Sequence, residues 1–174
     1  ALLQAGDAAR ARAVLERVRL HGPFANKALL GVGWARALVE DHDGALLPWL
    51  ELMQRDLLDS AVQESFLAVP YALGRLGIYG SAVEAYQQAL GTFDAELAHL
   101  DEAIGRARQG KLLPALLEKD EAGLSRWYWR LDAIPDREDS RYLYLLMAGH
   151  AFQEGVKNYR DLLALEHYLE DWQQ

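Results

Sequence analysis

The 174-residue chain contains no cysteine, which excludes disulfides, thiolate metal sites, iron–sulfur clusters and cysteine nucleophiles. Positive charge is also scarce, with 18 Lys and Arg against 26 Asp and Glu and a net charge of −8. A dedicated binder of phosphate backbones needs a basic surface, so nucleic acid is not expected as a partner. No apolar run approaches the roughly 18 residues of a membrane span. The first residues, Ala1-Leu2-Leu3, lack a methionine and a basic-then-apolar leader. Long Val/Ile/Thr runs are missing, so strands are not expected.

Catalytic patterns are missing as well. His21, His42, His99, His150 and His167 are scattered, form no His-Glu-x-x-His motif and show no ligand spacing. His42, between Asp41 and Asp43, reads as part of a solvated turn, and His150 could face a groove. No serine sits in a Gly-x-Ser-x-Gly context. Gly74, Gly77 and Gly80 follow a helical pattern rather than a strand, and no Lys-Ser or Lys-Thr comes after them, so they do not read as a phosphate loop. Catalytic residues, a metal site and a cofactor are therefore not expected, and the chain reads as non-enzymatic.

What is present is a globular composition, 51% apolar and 25% charged, in a chain long enough to bury a core. Segments with helical spacing alternate with Gly, Pro and Asp punctuation. They predict helices near 8–20, 26–39, 44–56, 61–76, 80–92, 94–109, 112–119, 122–132, 139–153 and 156–172. The expected fold is all-α, an α–α solenoid of antiparallel helix pairs forming one domain over 1–174. Ala1 to Ala5 read as the back half of a helix, which predicts a piece of a longer protein. The compartment stays open between cytoplasm and periplasm.

The helices repeat. Ala11, Ala45 and Ala82 lie in second helices; Leu15, Trp49 and Tyr86 follow four residues on, and Val18, Leu52 and Ala89 seven residues on. First helices run Leu29-Val32-Gly33-Arg36 and Phe66-Val69-Pro70-Leu73. A small residue in the first helix and an alanine in the second let the pair approach closely, while large residues fill the gap to the next pair. Gly6-Asp7 before Ala11, Pro23 after Val18, and Leu76-Gly77-Ile78-Tyr79 before Ala82 complete the pattern.

In these residues the chain resembles the tetratricopeptide repeat family, a 34-residue helix–turn–helix unit. The match is clear over about 1–92 and degenerate over 93–174, where Leu100-Ala103-Ile104-Ala107 and Leu145-Ala148-Gly149-Phe152 look like first helices with poor partners. Pro114, Asp120 and Gly123 interrupt one partner, and Asp161 stands near an expected alanine in the other.

The resemblance implies a solenoid with first helices lining a concave surface, and a protein-interaction function. It places groove-facing positions at Lys27, Leu30 and Trp34 on one first helix and Glu64, Leu67 and Tyr71 on the next. Arg75 stands at the second helix's end. The weaker next repeat offers Ala98, Asp101, Gly105 and Arg108. The apolar residues at Leu30, Trp34, Leu67 and Tyr71 speak against the carboxylate clamp of one subclass. Trp34 and Tyr71 have two readings, as peptide-binding anchors or as packing against neighbouring helices. Trp127-Tyr128-Trp129, between Arg126 and Arg130, reads mainly as core, with Trp129 left for a partner. The expected partner is a protein or peptide; the alternative is a self-associating structural scaffold or a spacer of a larger assembly, the cell envelope included, since apolar terminal repeats leave a homo-oligomer open.

Overall fold

Asp7, Asp41 and Asp59 each precede a helix and cap it, because a carboxylate there satisfies a backbone N–H that has no helical acceptor. Asp7 accepts from the Arg10 N–H at 3.2 Å, Asp41 from Gly44 at 3.0 Å and Asp59 from Ala61 at 2.8 Å. The computed structural model of the chain describes residues 2–110, 141–142 and 149–172. Among them are α1 (Ala8–Leu15), α2 (Ala25–Ala37), α3 (His42–Leu52), α4 (Ser60–Arg75), α5 (Tyr79–Arg108) and α6 (His150–Trp172), and no strand. The fold is all-α, and neighbouring helices pack on one another from α1 to α4, with α2 also against α4.

The repeat register reappears in the backbone of the turns. Gly6, Glu40 and Gly77 all have positive φ, at 75°, 61° and 77°. In each turn the following N–H reaches back five residues. Asp7 bonds the Leu2 carbonyl at 3.1 Å, Asp41 that of Arg36 at 3.0 Å and Ile78 that of Leu73 at 2.9 Å. Gly6, Glu40 and Gly77 each bond the carbonyl three residues back, at 3.1 Å in all three cases. This is the left-handed helix terminator that usually carries glycine. Five residues after each of these positions stands Ala11, Ala45 or Ala82, and all three are buried.

Two compact units divide between Glu96 and Leu97. In the first, the core gathers Ala37, Ala45, Trp49, Leu52, Val62, Phe66, Val69, Ala72 and Ala89. Phe66 on α4 meets Phe93 on α5 with ring centroids 5.7 Å apart. At its centre, Trp49 is fully buried and donates from Nε1 to the Leu30 carbonyl at 3.3 Å. Its ring lies directly over Gly33, where a methyl group would overlap the indole. In the second unit, Ala103 on α5 and Val156 on α6 are buried.

Three expectations about elements change. The helices expected at 80–92 and 94–109 are one continuous α5. Gly91 alone costs a helix only about 1 kcal/mol, and no proline or cap reinforces it. Thr92, whose hydroxyl might have offered a cap, instead donates along the helix to the Gln88 carbonyl at 2.9 Å. Leu100 to Ala107 therefore prolong a second helix and do not begin a new first helix. Likewise α6 runs unbroken through Gly155, so Phe152 and Asp161 share one helix. Finally, α1 ends at Leu15 rather than near residue 20, as Arg17 and Val18 bond carbonyls three residues back. The expected helices at 112–119 and 122–132, most of 139–153, and the Trp127-Tyr128-Trp129 cluster lie outside the described residues.

Ala45, with no exposed surface, tests this register. Ala45→Leu should overpack the α2–α3 contact and destabilise by about 1–3 kcal/mol. A urea titration reads this as a lower midpoint, and an unchanged midpoint would contradict the assignment.

Candidate functional site

Helical spacing puts Lys27, Leu30 and Trp34 along one side of α2, and Glu64, Leu67, Tyr71 and Arg75 along one side of α4. Packing of α2 against α4 brings the two rows together. Trp34 sits at their meeting point. Its ring stands edge-on to buried Trp49 at 5.0 Å between centroids and 5.8 Å from the Tyr71 ring. Its Nε1 donates to Glu64 Oε1 at 2.7 Å. Of the two sequence readings of Trp34, packing against neighbouring helices is seen at one edge, on Trp49, while the rest of the ring borders Tyr71. Leu30 is half-buried against the same core. Leu67 is 53% exposed and Tyr71 40% exposed. Lys27 is exposed and makes no ion pair among the described residues.

The far end of the row is polar. Arg75 donates to Glu40 Oε2 at 2.8 Å, and the same oxygen lies 3.1 Å from His42 Nε2. The Arg75 Nε lies 3.4 Å from His42 Nε2. The His42 ring stands edge-on to Tyr71 at 5.9 Å. His42 is only 5% exposed, and its Nδ1 has no protein partner. The expectation of a solvated turn is therefore wrong for His42. It opens α3 on the same side as Ala45, Trp49 and Leu52, at the three-, seven- and ten-residue spacing of a buried stripe. That spacing is readable in the sequence, but Asp41 and Asp43 on either side give the segment the composition of a turn.

Glu40 was not readable as a site residue. It occupies a left-handed position, which costs a residue with a side chain about 1–3 kcal/mol. Its partner Arg75 lies 35 positions away. A second clasp at the other end was equally hidden: Asn26 donates to Asp59 at 2.9 Å and accepts from Arg55 at 2.8 Å. Arg55 also reaches Glu51 at 3.0 Å. These bonds tie the start of α2 to the end of α3 and the cap of α4.

The weaker positions Ala98, Asp101, Gly105 and Arg108 all lie on the continuous α5, so no separate first helix carries them. His150 opens α6 and is exposed. Among the described residues, no group of three or more His, Asp or Glu could hold a metal ion, and no helix is long and apolar enough to cross a membrane.

The Arg75 hydrogen bond, reinforced by the bond from His42, holds the Glu40 carboxyl below the usual glutamate range. A depressed carboxylate stabilises the folded state above its unfolded pKa, and that contribution fades as pH falls through the folded value. The difference in thermal midpoint between the wild type and Glu40→Gln should therefore be constant near neutrality and shrink below about pH 4.3, the ordinary glutamate value. A difference that grows on acidification would contradict the pairing. In comparisons with known proteins, no family model, no curated protein and no solved structure matches the chain.

Proposed function

We propose that the chain is a non-catalytic protein–protein interaction module of the tetratricopeptide repeat kind. In this reading the α2–α4 face takes up an apolar segment, helical or extended, of a partner protein. The observation that carries it is the fixed posture of Trp34. Trp49 on one side and Glu64 on the other hold the indole, and exposed Tyr71 and Leu67 lie beside it. An aromatic surface already held in place loses little side-chain entropy on binding, which is how interface hot spots gain their energy. Lys27 at one end, and the Arg75–Glu40 pair at the other, supply charge that would set the direction of a bound segment.

The repeat register supports the family reading. The left-handed turns at Gly6, Glu40 and Gly77 are spaced by 34 and 37 residues, close to the family's unit length. Conformation repeats there even where the residue type does not.

The test is affinity capture from the source lysate followed by titration of the recovered partner. Tyr71→Ala combined with Leu67→Asp touches exposed positions only, so far-UV circular dichroism should be unchanged. Loss of a hot spot worth about 2 kcal/mol would weaken binding roughly 30-fold. Trp34→Ala should weaken it further and also lower stability, because it uncovers Trp49. A partner that binds the Tyr71/Leu67 variant as tightly as the wild type would overturn the assignment of this face.

A further inference from the structure

A charge without a counter-ion stands at the aromatic centre of the α2–α4 face. Glu64 is exposed, and its Oε1 accepts from Trp34 Nε1 at 2.7 Å. An ionised carboxylate offers about four acceptor sites on its two oxygens, and this bond fills one of them. Glu64 makes no ion pair among the described residues. The cations that share its face are directed elsewhere. Arg75 follows Tyr71 by one turn of α4, but it donates to Glu40 at 2.8 Å and its Nε lies 3.4 Å from His42 Nε2. Lys27 precedes Trp34 by seven residues, about 10 Å along α2.

Two rings adjoin this carboxylate. Trp34 and Tyr71 stand 5.8 Å apart between centroids and are tilted by 44° rather than stacked flat, so neither ring covers the other's face. Among the described residues no cation lies over either ring. Leu67, three residues after Glu64 and four before Tyr71, is exposed beside them. A π face attracts a cation, and a carboxylate next to it adds a full negative charge. Arginine satisfies both at once. Its guanidinium plane stacks on an aromatic ring, its N–H fork matches a carboxylate, and its methylene stem lies along apolar surface. Trp34, Glu64, Leu67 and Tyr71 all belong to the first unit. The net charge of −8 draws a basic segment toward the chain as a whole.

Resting on the α2–α4 face as the binding face, we infer that the segment it takes up carries an arginine, seated on the Trp34 and Tyr71 rings with its guanidinium on Glu64. Apolar residues beside that arginine lie on Leu67 and Leu30. The face then prefers a basic, apolar segment over a purely apolar or an acidic one, because only the first provides a counter-ion for Glu64.

A phage library of random dodecapeptides, selected on the 174-residue chain, supplies the probe, and the enriched peptide is synthesised and titrated by calorimetry. Enriched sequences should share an arginine flanked by apolar residues. Replacing that arginine with alanine should weaken binding about 10-fold. Glu64→Gln keeps an acceptor for Trp34 and removes the charge, so it should weaken the arginine peptide by the same factor. It should leave the alanine peptide unaffected, because both changes act on one contact. Its circular dichroism should match the wild type, since Glu64 is exposed. Peptides without a cation, or peptides that bind Glu64→Gln as tightly as the wild type, would overturn the arginine seat. If those peptides are still lost on Tyr71→Ala with Leu67→Asp, the binding face stands without the seat. Enrichment of lysine in place of arginine would overturn the seat too, because an ammonium has neither the plane nor the fork. Peptides indifferent to all three substitutions, or a library that enriches nothing over an unrelated control protein, would overturn the face and the seat together.

Discussion

The first unit depends on the seat of Trp49. An indole can be buried without penalty only if its N–H finds an acceptor and its ring finds room. The Leu30 carbonyl supplies the acceptor at 3.3 Å. Gly33 supplies the room, since any side chain there would occupy the ring's own volume. From this contact follow the close approach of α2 and α3 and the edge-on rest that Trp34 finds against Trp49. Trp34 in turn reaches Tyr71 and Glu64 on α4. One buried residue thereby transmits order to the exposed face.

The turns show how a repeat persists while its sequence drifts. A left-handed terminator is cheapest with glycine, and two of the three turns use it. The middle turn uses Glu40 and carries the strain. Its carboxylate spans to Arg75 and His42, so the residue that disfavours the turn also links the α2–α3 corner to the end of α4. The pair is exposed to solvent, and exposed ion pairs contribute little stability. Its effect is positional: it holds Arg75 beside the aromatic row.

The α2–α4 face and the exposed side of α5 differ in kind. On the α2–α4 face the aromatic residues are half fixed by core contacts, so the surface keeps one shape. On α5, Tyr79, Val83, Tyr86 and Leu90 are exposed, and no aromatic contact among the described residues of the first unit fixes them.

The amino-acid sequence by itself determined the helical class, the register of Ala11, Ala45 and Ala82, and the two rows that carry Lys27, Leu30, Trp34 and Glu64, Leu67, Tyr71, Arg75. Those features are local periodicities, and a helix converts spacing directly into facing. Only the tertiary structure decided what lies between the rows and at their ends. Glu40 meets Arg75 across 35 positions, Asn26 meets Asp59 across 33, and Trp34 meets Glu64 across 30. No periodicity encodes such pairs, because they form only when two helices pack side by side. The break expected near residue 93 failed for a related reason. A single glycine weakens a helix without ending it, and termination needs a turn that satisfies the freed carbonyls, as at Gly77.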